Sequence, residues 1–175
     1  MKHIIALCLT LVLGGVASAQ PPQDKPGPEH KSLERFVGTW KMDAKLSPGL
    51  FGPGGPMTAT ETCRMHDGGF HLVCDSTGSG AMGNVKSHMI MAWDRNAKVY
   101  RYTSISNMAD AEFATGTLKG NTWTFKSEVD MGGKKMWMQF TLVEKTPTVH
   151  EMKMDVSDDG KTWTTMMTAT STKTK

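Results

Sequence analysis

Three short stretches set two methionines on either side of a single residue. They are His88-Met89-Ile90-Met91-Ala92-Trp93, Met136-Trp137-Met138-Gln139-Phe140 and His150-Glu151-Met152-Lys153-Met154. Thioethers are soft donors that select Cu(I). They are also flexible, polarisable packers, suited to an adaptable binding wall or to the irregular gaps of an ordinary core. Residue type and spacing leave these three readings open: a copper site, a ligand cavity, or plain core.

The other chemistry-bearing residues give less. Cys63 and Cys74 flank Gly68-Gly69, a good two-residue hairpin turn. Counting outward from that turn sets 63 opposite 74, within reach of a disulfide, on a pair of the hydrogen-bonded kind. The alternative is two free thiols available to a metal. The same counting sets His66 opposite His71 at a hairpin tip, where solvated surface histidines are expected rather than metal ligands. Gly78-Ser79-Gly80-Ala81-Met82-Gly83 spells G-x-G-x-x-G, but a strand follows it instead of a helix, so it lacks the context of a nucleotide fingerprint. The chain contains no H-E-x-x-H, G-x-S-x-G or C-x-x-C. No base and nucleophile are brought together, so we expect neither an enzyme nor a bound cofactor.

Residues 1–19 have the form of a secretory signal: Lys2, an apolar run from Ile4 to Val16, and an Ala17-Ser18-Ala19 cleavage site. The mature chain is expected to begin at Gln20 and to be periplasmic or secreted, with Cys8 lost and no membrane insertion after cleavage. Residues 20–27 read as a proline-rich tether, and 28–175 as one domain. Loss of Lys2 lowers the formal net charge from +3 to +2. The charges are interspersed, so there is no footprint for nucleic acid. In an exported chain the surviving cysteine pair implies a disulfide.

Something must hold the methionines on one side. Pro28 to Val37 reads as a short helix with Leu33, Phe36 and Val37 on one face, stopped by Gly38. Period-two alternation then predicts strands over 39–46, 57–66, 70–77, 84–93, 98–106, 110–118, 121–130, 134–144, 148–156 and 161–171. Short connections make neighbours antiparallel, and ten strands in series leave two bare edges unless the sheet closes. We therefore expect an all-β, up-and-down antiparallel barrel with the helix over one end. Two segments, 47–56 and 76–83, read as longer flexible loops at the other end, with Leu50 and Phe51 as a candidate lid. Gly120-Asn121-Thr122-Trp123 and Gly160-Lys161-Thr162-Trp163 read as one hairpin solution used twice.

In a strand, residues i and i+2 share a face. Met89, Met91 and Trp93 therefore align, as do Met136, Met138, Phe140 and Leu142; His150, Met152, Met154 and Val156; Trp123, Phe125 and Val129; and Trp163 and Met167. Lys126, Glu128, Gln139, Thr141, Glu151, Lys153 and Asp155 occupy the opposite faces. The methionine face is thus the interior. The candidate ligand-binding residues are Met89, Met91, Trp93, Trp123, Phe125, Met136, Met138, Phe140, Met152 and Met154, and the expected partner is a small apolar molecule. Met-x-Met beside tryptophan resembles periplasmic copper chaperones, but here Trp137 is expected to face outward, away from Met136 and Met138.

Gly38-Thr39-Trp40 after a short helix resembles the opening of lipocalin-like barrels. The likeness is closer to the bacterial family of domain of unknown function 1579. It is carried by Pro28-Glu29-His30, Leu33, Gly38-x-Trp40, Gly68-Gly69-Phe70, Trp93-Asp94 with Lys98 and Tyr100, and Gly116. That family usually has Gly-Tyr-Asp where this chain has Ala92-Trp93-Asp94. The resemblance implies a lipocalin-like barrel and carries over no functional residue. The methionine triplets and the cysteine pair are not part of its pattern. The overall shape also resembles the haem-binding nitrobindins; His150 is the only late histidine, and nothing matches it to their ligand.

Overall fold

The computed structural model describes residues 25–49, 52–66, 68–108, 111–131 and 133–175. Residues 1–19, expected to be a secretory signal, most of the expected tether, and the candidate lid residues Leu50 and Phe51 lie outside the described residues. Helix α1 (Pro28–Ser32) runs into a tight 3-10 turn, Leu33–Phe36. Proline opens the helix where its missing N–H costs nothing, and Glu29 sits in its first turn. Ten strands follow: β1 (Gly38–Leu46), β2 (Gly55–Met65), β3 (His71–Gly80), β4 (Gly83–Asp94), β5 (Val99–Ser106), β6 (Ala111–Lys119), β7 (Thr122–Met131), β8 (Lys134–Thr146), β9 (Val149–Ser157) and β10 (Thr164–Lys173).

Each strand pairs antiparallel with its sequence neighbours, and β10 pairs with β1 to close the barrel. Helix α1 and its 3-10 turn cover the end where β1 begins. Leu33 and Phe36 are buried there against Tyr100 and Trp123. The Phe36 and Trp123 rings meet edge to face at 5.1 Å. Three hydrogen bonds tie the cap down. Trp40 Nε1 donates to the Phe36 carbonyl at 2.7 Å. The Tyr100 hydroxyl donates to the Glu29 carbonyl at 3.2 Å. Trp123 Nε1 donates to Glu144 at 2.6 Å, and Glu144 also pairs with Arg35.

Several expectations need correction. Residues 76–83 are not a flexible loop: β3 runs to Gly80 and β4 starts at Gly83, leaving a two-residue turn at Ala81-Met82. The glycines reflect close backbone approach, since a Cβ on Gly78 would lie 2.9 Å from the Thr58 carbonyl oxygen. Cys63 and Cys74 do form a disulfide, but on the other kind of cross-strand pair. His66 N donates to the His71 carbonyl, so His66–His71 is a hydrogen-bonded pair and Cys63–Cys74, three steps on, is not. Its Cα separation of 4.1 Å matches that closer pairing. The Gly160–Trp163 segment does not repeat the Gly120 hairpin. It is a longer turn in which Asp159 accepts the Lys161 and Thr162 N–H groups, and those bonds hold the Asp159 carboxyl at about 2. A bulge between Thr165 and Met167 then breaks the expected alignment. Trp163 lies outside beneath Lys126 and does not share a face with Met167.

Candidate functional site

The barrel encloses a cavity of about 180 Å³ in the middle of the molecule. Seven of the ten expected residues line it: Met89 and Met91 on β4, Phe125 on β7, Met138 and Phe140 on β8, and Met152 and Met154 on β9. The other three lie elsewhere. Trp123 is fully buried under the cap, between Tyr100 and Phe36, where its indole N–H is already committed to Glu144. Trp93 packs on Tyr100, with ring centroids 4.9 Å apart. Met136 is half-buried opposite Val129 and is not part of the lining. Trp137 faces out, with Lys135 Nζ over its ring and the Lys135–Glu128 ion pair beside it.

The period-two pattern set His150 on the inward face with Met152 and Met154, but it did not single out the two carboxylates of the lining. Glu61 enters from β2, Glu112 from β6 and His150 from β9. Around the closed sheet, β6 is four strands from β2 in one direction and β9 three in the other, so the three ionisable groups ring the cavity. Their strand parity was available, because Glu61 is two residues from the inward Cys63 and Glu112 two from the inward Ala114. Charge, however, conventionally argues for the outer face.

Glu61 is the least compensated of the three. Its Oε1 lies 3.4 Å from Cys63 Sγ, which as half of a disulfide has no proton to give. Glu61 forms no ion pair among the described residues, and the surface it retains faces the cavity. Burial alone pushes its carboxyl up to about 7. Glu112 accepts a hydrogen bond from the Ser127 hydroxyl at 3.1 Å. His150 stacks on Trp40 at 4.1 Å and meets Phe36 edge on. Burial lowers its pKa, partly offset by Glu144 and reinforced by Lys173, so the ring is neutral at pH 7. Further round the wall, Phe36, Trp40, Tyr102, Phe125 and Phe140 present aromatic surface.

Among the described residues the potential metal cluster is Glu61 with Cys63 and Cys74. The bridged sulfurs are poor ligands, because a metal binds the thiolate. The methionines of the copper reading divide as well, since Met138, Met152 and Met154 share the cavity and Met136 does not.

These features define a lipocalin-like, closed antiparallel barrel with a mixed apolar and acidic interior. The chain belongs to the family described as protein of unknown function (DUF1579), whose model matches residues 25–173. No curated protein matches it. Among solved structures it is similar to Rv2717c from M. tuberculosis, with 10% identity, a TM-score of 0.60 and coverage of 87% of this chain and 100% of that one. It is also similar to the S-type phycobiliprotein lyase CPES from Guillardia theta, with 10% identity, a TM-score of 0.57 and coverage of 84% and 93%. At that identity the likeness is one of fold.

Proposed function

We propose that this is an exported binding protein that takes a small, largely apolar molecule into the barrel interior, acting by binding and not by catalysis. The observation that carries the reading is the cavity of about 180 Å³ walled by methionine and aromatic side chains. A cavity of about 150 Å³ is enough for benzene, so the ligand has the size of one ring with a short substituent. The adaptable methionine wall tolerates some variation in its shape. The Cys63–Cys74 disulfide supports export, since such bridges persist in oxidising compartments.

Calorimetric titration with indole tests the reading. We expect 1:1 binding with a negative heat-capacity change, the mark of apolar burial. Cell fractionation followed by mass spectrometry should find the chain in the exported fraction, beginning at Gln20. Absence of indole binding at saturating concentration overturns the cavity reading; a chain found only inside the cell, with Met1–Ala19 retained, overturns export.

A further inference from the structure

We infer that the cavity's ligand is an apolar organic cation, a compact amine carrying one hydrocarbon ring, whose charge is met by the Glu61 carboxylate. This rests on the cavity-binding reading and narrows it to a chemical class.

The argument begins with what surrounds Glu61. A carboxylate inside an apolar enclosure loses its hydration, and proteins normally repay that loss with a cation or with several N–H donors. Glu61 has neither. Among the described residues the lining contains no lysine or arginine. Lys173, whose Nζ lies 5.5 Å from the Trp40 ring centroid, is not part of the lining and does not pair with Glu61. The titratable groups that face the cavity with Glu61 are Glu112, Tyr102 and His150, none of them a fixed cation. Among the described residues the lining thus presents two carboxylates and no fixed positive charge, which disfavours an anion; a neutral ligand could hydrogen-bond Glu61 but would not balance its charge.

The rest of the wall fits the same class. Trp40 is the direct cross-strand partner of Glu61, which sets a tryptophan beside the carboxylate. Tyr102, Phe125 and Phe140 add further rings to the lining. Aromatic faces attract an ammonium group through their quadrupole, most strongly where water is excluded. A carboxylate among aromatic faces is chemistry suited to an amine.

Because burial raises the Glu61 carboxyl to about 7, the empty site holds a proton at mildly acidic pH. Binding a cation there releases that proton to solvent, so affinity should fall about tenfold per pH unit below about 7. Protonation of His150 at lower pH acts in the same direction.

The test compares benzylamine with its neutral isostere benzyl alcohol, titrated into the purified protein at pH 8 and pH 5.5. We expect benzylamine to bind at least tenfold more tightly at pH 8 and to lose most of that advantage at pH 5.5. Glu61→Gln should abolish the preference, weakening benzylamine binding at pH 8 by at least tenfold. Equal binding of the two probes at pH 8, or a preference that survives both Glu61→Gln and acidification, overturns the assignment and leaves the cavity reading standing. Failure of both probes to bind overturns the cavity reading and this inference with it. The wild-type pH series decides the matter even if the variant does not fold.

Discussion

Glu61 has an energetic signature that can be measured without any ligand. Its carboxyl titrates at about 7 in the folded chain against 4.5 in its ordinary state, so between those values the folded form holds more protons than the unfolded one. Stability therefore declines as pH rises through that window and levels off above it. The shift corresponds to roughly 3 kcal/mol at full ionisation. His30 and His150 act in the opposite sense. Burial lowers both below 6.5, so each adds stability as pH rises toward that value, and the effects partly cancel in the native protein. Glu61→Gln should raise stability by up to roughly 3 kcal/mol near pH 8 and by little near pH 4.5. In thermal melts that is an increase of roughly 5–10 °C at the higher pH, leaving a profile that rises with pH. An unchanged midpoint at pH 8 would show that the carboxylate finds a partner. A residue that weakens the empty protein in this way follows the usual trade between stability and function.

At the scale of strands, Gly116 on β6 shows what a glycine in a ladder does. It stands opposite Phe125 on β7, and a Cβ there would land on the Phe125 ring atoms Cδ1 and Cε1. The missing side chain lets that ring lie flat over the strand and form part of the cavity wall. Gly116→Ala should push the ring inward, costing about 1–3 kcal/mol as overpacking and weakening indole binding; denaturant unfolding and the same titration would measure both. The strands themselves were legible because alternation is strict along most of them. Met89-x-Met91 and Met152-x-Met154 declared their inward face through their polar neighbours. Glycine is ambiguous in this respect. Gly78 and Gly80 have the composition of a flexible loop, yet they allow β3 to lie close against β2. Period-two alternation over 161–171 places Trp163 on a strand. Asp159 instead organises a turn that delays β10 to Thr164, and no local propensity records that choice. The disulfide was legible from residue counting, whereas its pairing type depended on whether the turn closes at His66 or one residue later.

For the whole molecule, closure depends on a single long-range seam. Nine of the ten strand pairings join sequence neighbours, and only β1–β10 joins the ends of the chain. The barrel was inferable because ten strands joined by short connections would otherwise expose two edges. Whether its inward side chains meet across the middle was not, because alternation tells which residues face inward and not how much volume they leave. The seam runs from Trp40–Lys173 to Leu46–Met167. It is extended by main-chain bonds from Thr39 N to the Lys175 carbonyl at 3.0 Å and from Thr174 N to the Thr39 carbonyl at 2.7 Å. His150 and Ser171 lie opposite each other on β9 and β10, so the seam also holds one wall of the cavity. Ending the chain at Gly160 removes β10 and leaves β1 and β9 as long unpaired edges on either side of an opened apolar interior. Such a chain should show no cooperative unfolding transition and should associate at micromolar concentration, as light scattering would report. Ending it at Ser171 removes only the cap-side end of the seam, with the Lys173–Trp40 contact; that chain should still melt cooperatively, at a lower temperature. If the Gly160 truncation stays monomeric and melts sharply, the nine hairpin pairings suffice, and closure serves the cavity more than the stability of the fold.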